Sequence, residues 1–388
     1  MKQGMDMIVN RLPARTWNWL KMNESSLSGI GIDNLCPAVQ NRNSGAVFSA
    51  AKKDASRFEQ TPEWTMETAL GEDMDKLLET GKLGEAGDAG AVGESSPADS
   101  LFAKAGSGKS EDALSVLTYT FEAGKRSMSR LYLHAEKDSV LRVAILCKAE
   151  GAGASETAEN RQNSLAALQV KVRAEEGAKV YIYLAQLLDE AFTALCDIGG
   201  VAENTASVQL LRMELGAGKL YAGAAVDLAG KSSAFEAHIG YAAKPGQHLD
   251  MNYTARHRGK KTQSLMTASG VLSEDSFKIF RGTIDLQNGC QGAKGTESED
   301  VLLLGDHVVN QTIPLILCSE EDVEGNHGAS IGRLDDNMLF YLNTRGIPTD
   351  EAERLIARAK LDAVCGMIPD KEIRDEIQQF MGGGEEDA

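Results

Sequence analysis

The sequence predicts a mainly β protein, a β-helix (solenoid) flanked by helical segments at its N- and C-terminal ends. From Ser115 to about Ile316, short runs alternate apolar and polar residues and recur about every ten residues. Alternation of this kind is typical of strands with one buried face. The turns between the runs are polar and irregular, and small residues such as Ala222, Gly223 and Ala224 suit the tight interior of stacked coils. These features favour a solenoid over a sandwich or a barrel.

Composition and periodicity divide the chain into four parts. Residues 1–83 are predicted to be an N-terminal helical region, because apolar residues fall at helical spacing around Met5–Leu12 and again over Pro62–Thr80. Residues 84–112 contain almost no large apolar side chain, so burial cannot offset the roughly 1–2 kcal/mol per residue of lost backbone entropy. We therefore expect a flexible acidic linker or loop there.

The β-helix core is predicted over residues 113–333, with one helical interlude at Tyr183–Leu195. A C-terminal helical region follows over 334–388. Its first helix has Asp335 as the N-cap and stops at Gly346, which we expect to have a positive φ.

Two further helices are predicted in this region. One is capped by Thr349 and carries Leu355 and Ile356 on its apolar stripe, and the other is capped by Asp370. Both are amphipathic, so we expect them to pack against the end of the solenoid.

Charge and cysteine content exclude several classes of function. The 388 residues carry a net charge of −17, which argues against nucleic acid and against an anionic membrane surface as partners. No apolar run is long enough to span a membrane, and the N-terminus lacks the apolar region of a secretory signal. The six cysteines form no Cys-x-x-Cys motif. These features predict a cytoplasmic protein with reduced thiols.

One segment resembles a nucleotide-binding motif without matching it. Ala103–Ser110 reads AKAGSGKS, but a phosphate-binding loop requires glycine where Ala103 stands. Since the sequence shows no apolar strand before the motif and no strong helix after it, we expect no ATP site in this chain.

The candidate chemistry lies in the segment NHGASIG, which begins at Asn326. His327 is predicted to occupy a glycine-flanked turn, where its imidazole could bind iron or could form a hydrogen bond at an interface. Cys290 and Cys318 could relay sulfur or could be buried apolar residues, and their roles stay open. His257 lies in a basic cluster and is predicted to sit in a solvated turn.

Beyond these patterns, the segment from Thr262 to Val364 resembles the SufB/SufD family of iron–sulfur cluster assembly proteins. The early LPARTWNWLK resembles the amino-terminal signature of the SufD branch. The other matching pieces, in family order, are Gly270-Val271-Leu272, Phe280-Arg281-Gly282-Thr283-Ile284, Leu302-Leu303-Leu304-Gly305-Asp306, the His-Gly-Ala-Ser-Ile-Gly segment, Leu339-Phe340-Tyr341-Leu342 and Arg345-Gly346-Ile347.

The resemblance implies a right-handed parallel β-helix that pairs with a SufB-like paralogue. It also implies a SufC-like ABC ATPase bound to the C-terminal helical region, at about Leu334–Val364. A homodimer is possible without the paralogue. The docking residues implied for the ATPase are Leu339, Phe340, Tyr341, Arg345, Gly346, Ile347, Leu355 and Ile356.

The resemblance also separates the two branches. SufB-like chains carry a cysteine just before the leucine run, where this chain has about Glu299, so the SufD branch fits better. In that branch the histidine at position 327 would face the partner's cysteine at a transient Fe–S cluster. The flanking Asn326, Gly328, Ala329 and Ser330 would line the partner interface. Whether the chain binds a flavin is left open.

Two other functions remain compatible with a solenoid. One is an enzyme such as a polysaccharide lyase, although the sequence shows no secretory signal and no cluster of acidic residues at repeat spacing on its strands. The other is a purely structural solenoid without metal chemistry, for which removal of the His327 imidazole would not affect cluster formation.

Overall fold

The computed structural model describes residues 4–15, 21–31, 35–37, 39–43, 48–50, 66–83, 99–109, 114–150 and 164–382. Part of the LPARTWNWLK motif and most of the predicted linker lie outside these ranges. The strands are β1 (Gly4–Val9), β2 (Ser25–Gly31), β3 (Leu35–Pro37), β4 (Val39–Asn43), β5 (Phe48–Ala50), β6 (Asp99–Ala105), β7 (Ser115–Glu122), β8 (Arg126–Ala135), β9 (Val140–Glu150), β10 (Ser164–Ala174), β11 (Lys179–Leu187), β12 (Phe192–Ala202), β13 (Ser207–Glu214), β14 (Lys219–Leu228), β15 (Ala234–Ala243), β16 (His248–His257), β17 (Gln263–Leu272), β18 (Phe277–Leu286), β19 (Ala293–Leu303), β20 (Val309–Cys318) and β21 (Val323–Gly332). The helices are α1 (Glu72–Leu83), α2 (Asp336–Thr344), α3 (Thr349–Cys365) and α4 (Lys371–Gly382).

The strands form a parallel β-solenoid, which confirms the predicted fold. From β6 to β21, even-numbered strands join one sheet and odd-numbered strands join the other, so each coil contributes one strand to each sheet. Neighbouring coils pair in register without shifts over β10 and β12, where Ser164 faces Phe192 and Ala174 faces Ala202. The stack therefore repeats a flat, two-strand coil along one axis.

Alternate residues of every coil fill the interior between the two sheets. On β10 the inward side chains are Leu168, Val170 and Val172, all buried in the largest apolar cluster. The small residues Ala222 and Ala224 on β14 also face inward and leave room for larger neighbours. The period-2 pattern of the sequence thus corresponds directly to the solenoid core.

The prediction of an N-terminal helical region over 1–83 is wrong for most of its described residues. Gly4–Val9 is strand β1, which pairs antiparallel with β2. Met7 and Val9 are buried against one outer face of the solenoid, together with Leu70 and Met74. Among the described residues of this region only α1 is helical, and it begins at Glu72, directly after Gly71 with its φ of +81°.

Two other segments differ from the sequence expectations. Within the predicted linker 84–112, Asp99–Ala105 forms strand β6, which pairs in parallel with β8. Its alternate residues Leu101, Ala103 and Ala105 are buried in the solenoid interior. The segment Tyr183–Leu195 contains the end of β11 and the start of β12 rather than a helix, since Tyr183 pairs with Leu211 and Leu195 with Tyr221.

Three helices follow the last coil. The Asp335 side chain accepts a hydrogen bond from the Asn337 backbone N–H, and Gly346 has a φ of +87°, both as predicted. The predicted Thr349 cap is wrong, because α3 begins at Thr349 with Pro348 as the capping residue and no side-chain cap. Asp370 caps α4 by accepting from the Ile373 N–H. Helices α3 and α4 pack their apolar sides on the outer face of the odd-numbered sheet.

Candidate functional site

The last coil, formed by β20 and β21, leaves one end of the solenoid open. Among the described strands, β20 pairs only with β18 and β21 pairs only with β19. The residues of β21 are half-buried or exposed, in contrast to the buried interior of the coils below. Inward side chains that would otherwise be covered by a further coil are therefore accessible here.

His327 lies on strand β21, so the prediction that it occupies a turn is wrong. Its strand neighbours Asn326, Gly328, Ala329 and Ser330 are exposed with it. Val323, on the same strand, packs against the solenoid interior. Because alternate residues share a face, His327 is directed to the inner side of this open coil.

Glu297 on β19 is the register partner of His327 in the coil below. Ala293 and Val301 on the same strand belong to the interior cluster, so Glu297 also faces inward. Its side chain is 2% exposed, and neither carboxylate oxygen has a hydrogen-bond partner among the described residues. Burial, followed by the nearby charge of Glu299, raises the pKa of Glu297 to about 7.

Glu299, two residues further along β19, has a different environment. Its Oε1 accepts from Lys278 Nζ at 2.6 Å and from the Tyr241 hydroxyl at 2.7 Å, and its Oε2 accepts from the Thr312 hydroxyl at 2.6 Å. Burial lowers the pKa of Lys278 and raises that of Tyr241 well above its usual value. This carboxylate is saturated with donors and holds the last two coils together.

The two cysteines near this end differ in accessibility. Cys290 is buried, and burial raises the pKa of its thiol. Cys318 is exposed at the end of β20, and its thiol donates to the Glu320 carbonyl oxygen at 3.1 Å. Glu320 is half-buried and accepts a hydrogen bond from the Gly289 backbone N–H. The structure supports an apolar environment for Cys290 and leaves the role of Cys318 open.

His257 is buried at the end of β16, so the predicted solvated turn is wrong for this residue. Its ring nitrogens lie 2.8 Å from the Thr262 hydroxyl and 2.9 Å from the Ser264 hydroxyl. Burial lowers its pKa to about 4. His257 therefore acts as a neutral structural group that joins β16 and β17, the two strands of one coil.

A second group of ligand types lies on the surface. Glu274, Asp275 and His307 bring three donor atoms within 4.8 Å of one another. His307 is largely exposed and its Nδ1 already interacts with Glu274. These residues lie in turns beside the coils, away from the inward face that carries His327.

Several of the residues expected to bind an ATPase expose large apolar side chains on α2 and α3. Helix α2 has no buried residue, and Phe340 and Tyr341 are 71% and 56% exposed. Leu355 on α3 is 52% exposed. Arg345 and Gly346 are also exposed, whereas Leu339, Ile347 and Ile356 are half-buried. The opposite side of α3 is anchored to the sheet through Leu361 and Cys365.

The family profile described as SUF system FeS cluster assembly, SufBD core domain, matches residues 119–360. This chain belongs to that family. The matched SufBD segment begins in β7, includes every later coil and ends within α3. It therefore contains His327, Glu297 and most of the exposed helical surface.

Individual SufBD relatives align over a shorter part of the chain. The iron–sulfur cluster assembly protein SufD of Bacillus subtilis is 32% identical over 128 residues, which cover 32% of this chain and 29% of that protein. A chloroplastic SufBD family protein of Arabidopsis thaliana is 30% identical over 135 residues, which cover 35% of this chain and 24% of that protein. A SufBD family protein of Mycobacterium leprae is 28% identical over 127 residues, which cover 33% of this chain and 15% of that protein. The chain thus spans less than a third of the length of these curated relatives.

SufBD membership removes the basis for the lyase alternative.

The sequence analysis did not identify Glu297 as a candidate site residue, although the segment AKGTESEDVLL contains a pattern that indicates its burial. In that segment Glu297 and Glu299 have the same parity as Ala293 and Val301, which places two acidic residues on the apolar face of a strand. None of the four described helices has the length and apolar character needed to cross a membrane.

Proposed function

We propose that this chain is a SufD-like, non-catalytic scaffold subunit of a cytoplasmic SUF assembly complex. In this proposal it pairs with a SufB-like paralogue, associates with a SufC-like ABC ATPase and helps to build or load nascent Fe–S clusters. The observation that carries the proposal is the open end of the solenoid, where His327 is exposed on the last strand. The likeness to SufD of Bacillus subtilis supports the choice of branch.

The open end suits a partner with the same architecture. The outer edges of β20 and β21 present backbone N–H and C=O groups without a neighbouring strand among the described residues. An exposed strand edge is a template for pairing with another chain. A paralogous solenoid could extend both sheets across the junction. Asn326, Gly328, Ala329 and Ser330 would then form part of the interface.

His327 would contribute the ligand of this subunit at that junction. A neutral imidazole is a suitable iron ligand, and a thiolate from the partner would supply the soft ligand that Fe–S clusters require. The cluster is cargo in this scheme and is passed on. Gly328 has no atom outside its chain neighbours within 4 Å of where a side chain would begin, so the outer side of β21 next to His327 also has room for a partner.

The exposed surface on α2 and α3 would bind the ATPase. Phe340, Tyr341 and Leu355 are large apolar residues that are rarely so exposed together without a partner. Anchoring of α3 to the sheet would couple ATPase movements to the solenoid. In this scheme the ATPase partner binds and hydrolyses the ATP. The AKAGSGKS segment of this chain departs from the phosphate-binding motif at Ala103.

An anaerobic pull-down tests this function directly. The tagged chain is recovered from the lysate of its own source, and co-purifying proteins are identified by mass. Recovery of an ABC-type ATPase together with a cysteine-bearing paralogue supports the proposal. Recovery of the chain alone, from cells in which both proteins are detected, contradicts it.

A further inference from the structure

Glu297 is an unusual residue for the interior of a solenoid. It is 2% exposed, and both carboxylate oxygens lack a hydrogen-bond partner among the described residues. Burying an unpaired carboxylate costs several kcal/mol in effective terms, and proteins normally pair such groups or bind a cation with them. A purely structural coil would be more stable with an apolar residue at this position.

The neighbours of Glu297 do not neutralise it. The positive charge of Lys278 lowers the pKa of Glu297, but its Nζ donates its hydrogen bonds to Glu299 Oε1, Thr312 Oγ1 and the Gln311 carbonyl oxygen instead. The Glu297 side chain extends across the coil toward Gly282, where an added methyl group would lie 2.9 Å from the Glu297 Cδ atom. Glycine at position 282 therefore makes room for the carboxylate.

The residue stacked on Glu297 in the next coil is His327. The two are register partners on adjacent parallel strands, which are about 4.8 Å apart. Both side chains are directed to the inner side of the sheet. No further described coil covers them, so His327 is exposed while Glu297, one coil below it, is buried.

We propose that Glu297 and His327 together bind a divalent first-row transition-metal ion at the open end of the solenoid. Glu297 is the buried anionic ligand, and His327 is the ligand exposed to solvent on the last coil. This site deepens the proposed function and rests on it, because it assigns a second metal-binding group to the same end of the chain.

The donor set determines the class of ion. One carboxylate oxygen with one imidazole nitrogen suits ferrous iron, manganese, cobalt or zinc, whereas calcium and magnesium prefer oxygen ligands alone. Two protein ligands leave positions free for water or for a ligand from a partner. A site of this kind holds an ion less tightly than a complete structural site, which suits cargo in transit.

The surface group Glu274, Asp275 and His307 is the competing explanation for any metal binding. It consists of exposed residues that already interact with one another, and no buried unpartnered group is aimed into it. The test therefore uses the full chain with His307→Ala as the parent. This substitution removes the imidazole ligand of the competing group.

The probe is Co²⁺, a spectroscopic substitute for ferrous iron, titrated anaerobically and followed by visible absorption and equilibrium dialysis. The variants on the parent are Glu297→Gln, His327→Ala and Glu324→Gln. Glu324 is the matched control, because it lies on β21 but is exposed and paired with Lys294 outside the coil. Circular dichroism checks the fold of each variant.

The expected result is one Co²⁺ bound per parent chain. Glu297→Gln and His327→Ala should each weaken binding by about tenfold or more, and Glu324→Gln should leave it unchanged. Wild-type affinity in Glu297→Gln would overturn the proposal. If Glu297→Gln did not fold, the exposed His327→Ala variant would decide, and unchanged binding there would equally overturn it.

This outcome is separable from that of the proposed function. The pull-down reports partners and does not depend on metal bound to the isolated chain. Recovery of both partners with no metal bound to the isolated chain would reject only the metal site formed by Glu297 and His327. A metal site without partners would reject the assembly complex and leave a metal-binding solenoid.

Discussion

Lys278 Nζ lies 2.6 Å from Glu299 Oε1 inside the solenoid, and both side chains are fully buried. The pair joins β18 to β19 one coil below the open end. Tyr241 and Thr312 complete the environment of the carboxylate. Glu299 therefore has a structural role in the interior next to the open end of the solenoid.

Breaking this pair should destabilise the chain strongly. Lys278→Met leaves a buried carboxylate without its cation, and we expect the free energy of unfolding to fall by about 3–5 kcal/mol. Urea denaturation measures the change. The double variant Lys278→Met/Glu299→Leu should recover a large part of the loss, since no charge is then left unpaired. A single variant as stable as the wild type would contradict this role.

His257 should make stability depend on pH in the acidic range. Its pKa is lowered from 6.5 to about 4 in the folded state because burial disfavours the charged ring. The unfolded chain therefore binds the proton first as the pH falls, and stability decreases between pH 6.5 and pH 4. His257→Gln should remove roughly 1–3 kcal/mol of this loss.

Thermal unfolding of both chains at several pH values across this range measures the difference. Above pH 7 the variant should be slightly less stable, because the hydrogen bonds to Thr262 and Ser264 are altered. Parallel pH profiles for wild type and variant would show that His257 is not the responsible group.

The exposed residues of α2 and α3 should be needed for binding the ATPase and not for folding. Phe340→Ala combined with Leu355→Ala removes two side chains that are 71% and 52% exposed. We expect the affinity for the purified ATPase to fall by at least about tenfold while the melting temperature changes little. Isothermal titration calorimetry gives the affinity.

Ile8→Ala serves as the control for this experiment. Ile8 is also an exposed large apolar residue, at 38%, but lies on β1 at the other end of the sequence. Its replacement should leave ATPase binding unchanged. Equal losses in both variants would mean that the effect is not specific to the helical surface.

The solenoid could be predicted because its signal is repeated in every coil. The alternation that places Leu168 and Val170 inside β10 recurs in the other strands. A single segment with an ambiguous pattern therefore does not change the predicted fold. The N-terminal segment has no such repetition. Met5–Leu12 is compatible with both helical and strand periodicity, and the contacts of Met7 and Val9 with α1 and β2 favour the strand.

The candidate site could be predicted only in part, for a similar reason. His327 was identified by its family resemblance, but its place on a strand depends on pairing with β19. Glu297 was missed because a glutamate in an acidic stretch of sequence is normally interpreted as solvent-exposed. Strand β6 was missed because small residues such as Ala103 and Ala105 resemble a linker in composition, although they pack inside the first coil.

Cluster formation in the reconstituted complex tests the central claim most directly. The chain, its paralogue and the ATPase are purified, combined anaerobically with iron and sulfide, and followed by visible absorption. We predict that His327→Ala assembles the complex normally but loses most of the cluster absorption, whereas His307→Ala, at an exposed histidine outside the open end, retains it. Wild-type cluster yield in the His327→Ala complex would contradict the claim that this end of the solenoid contributes to the cluster site.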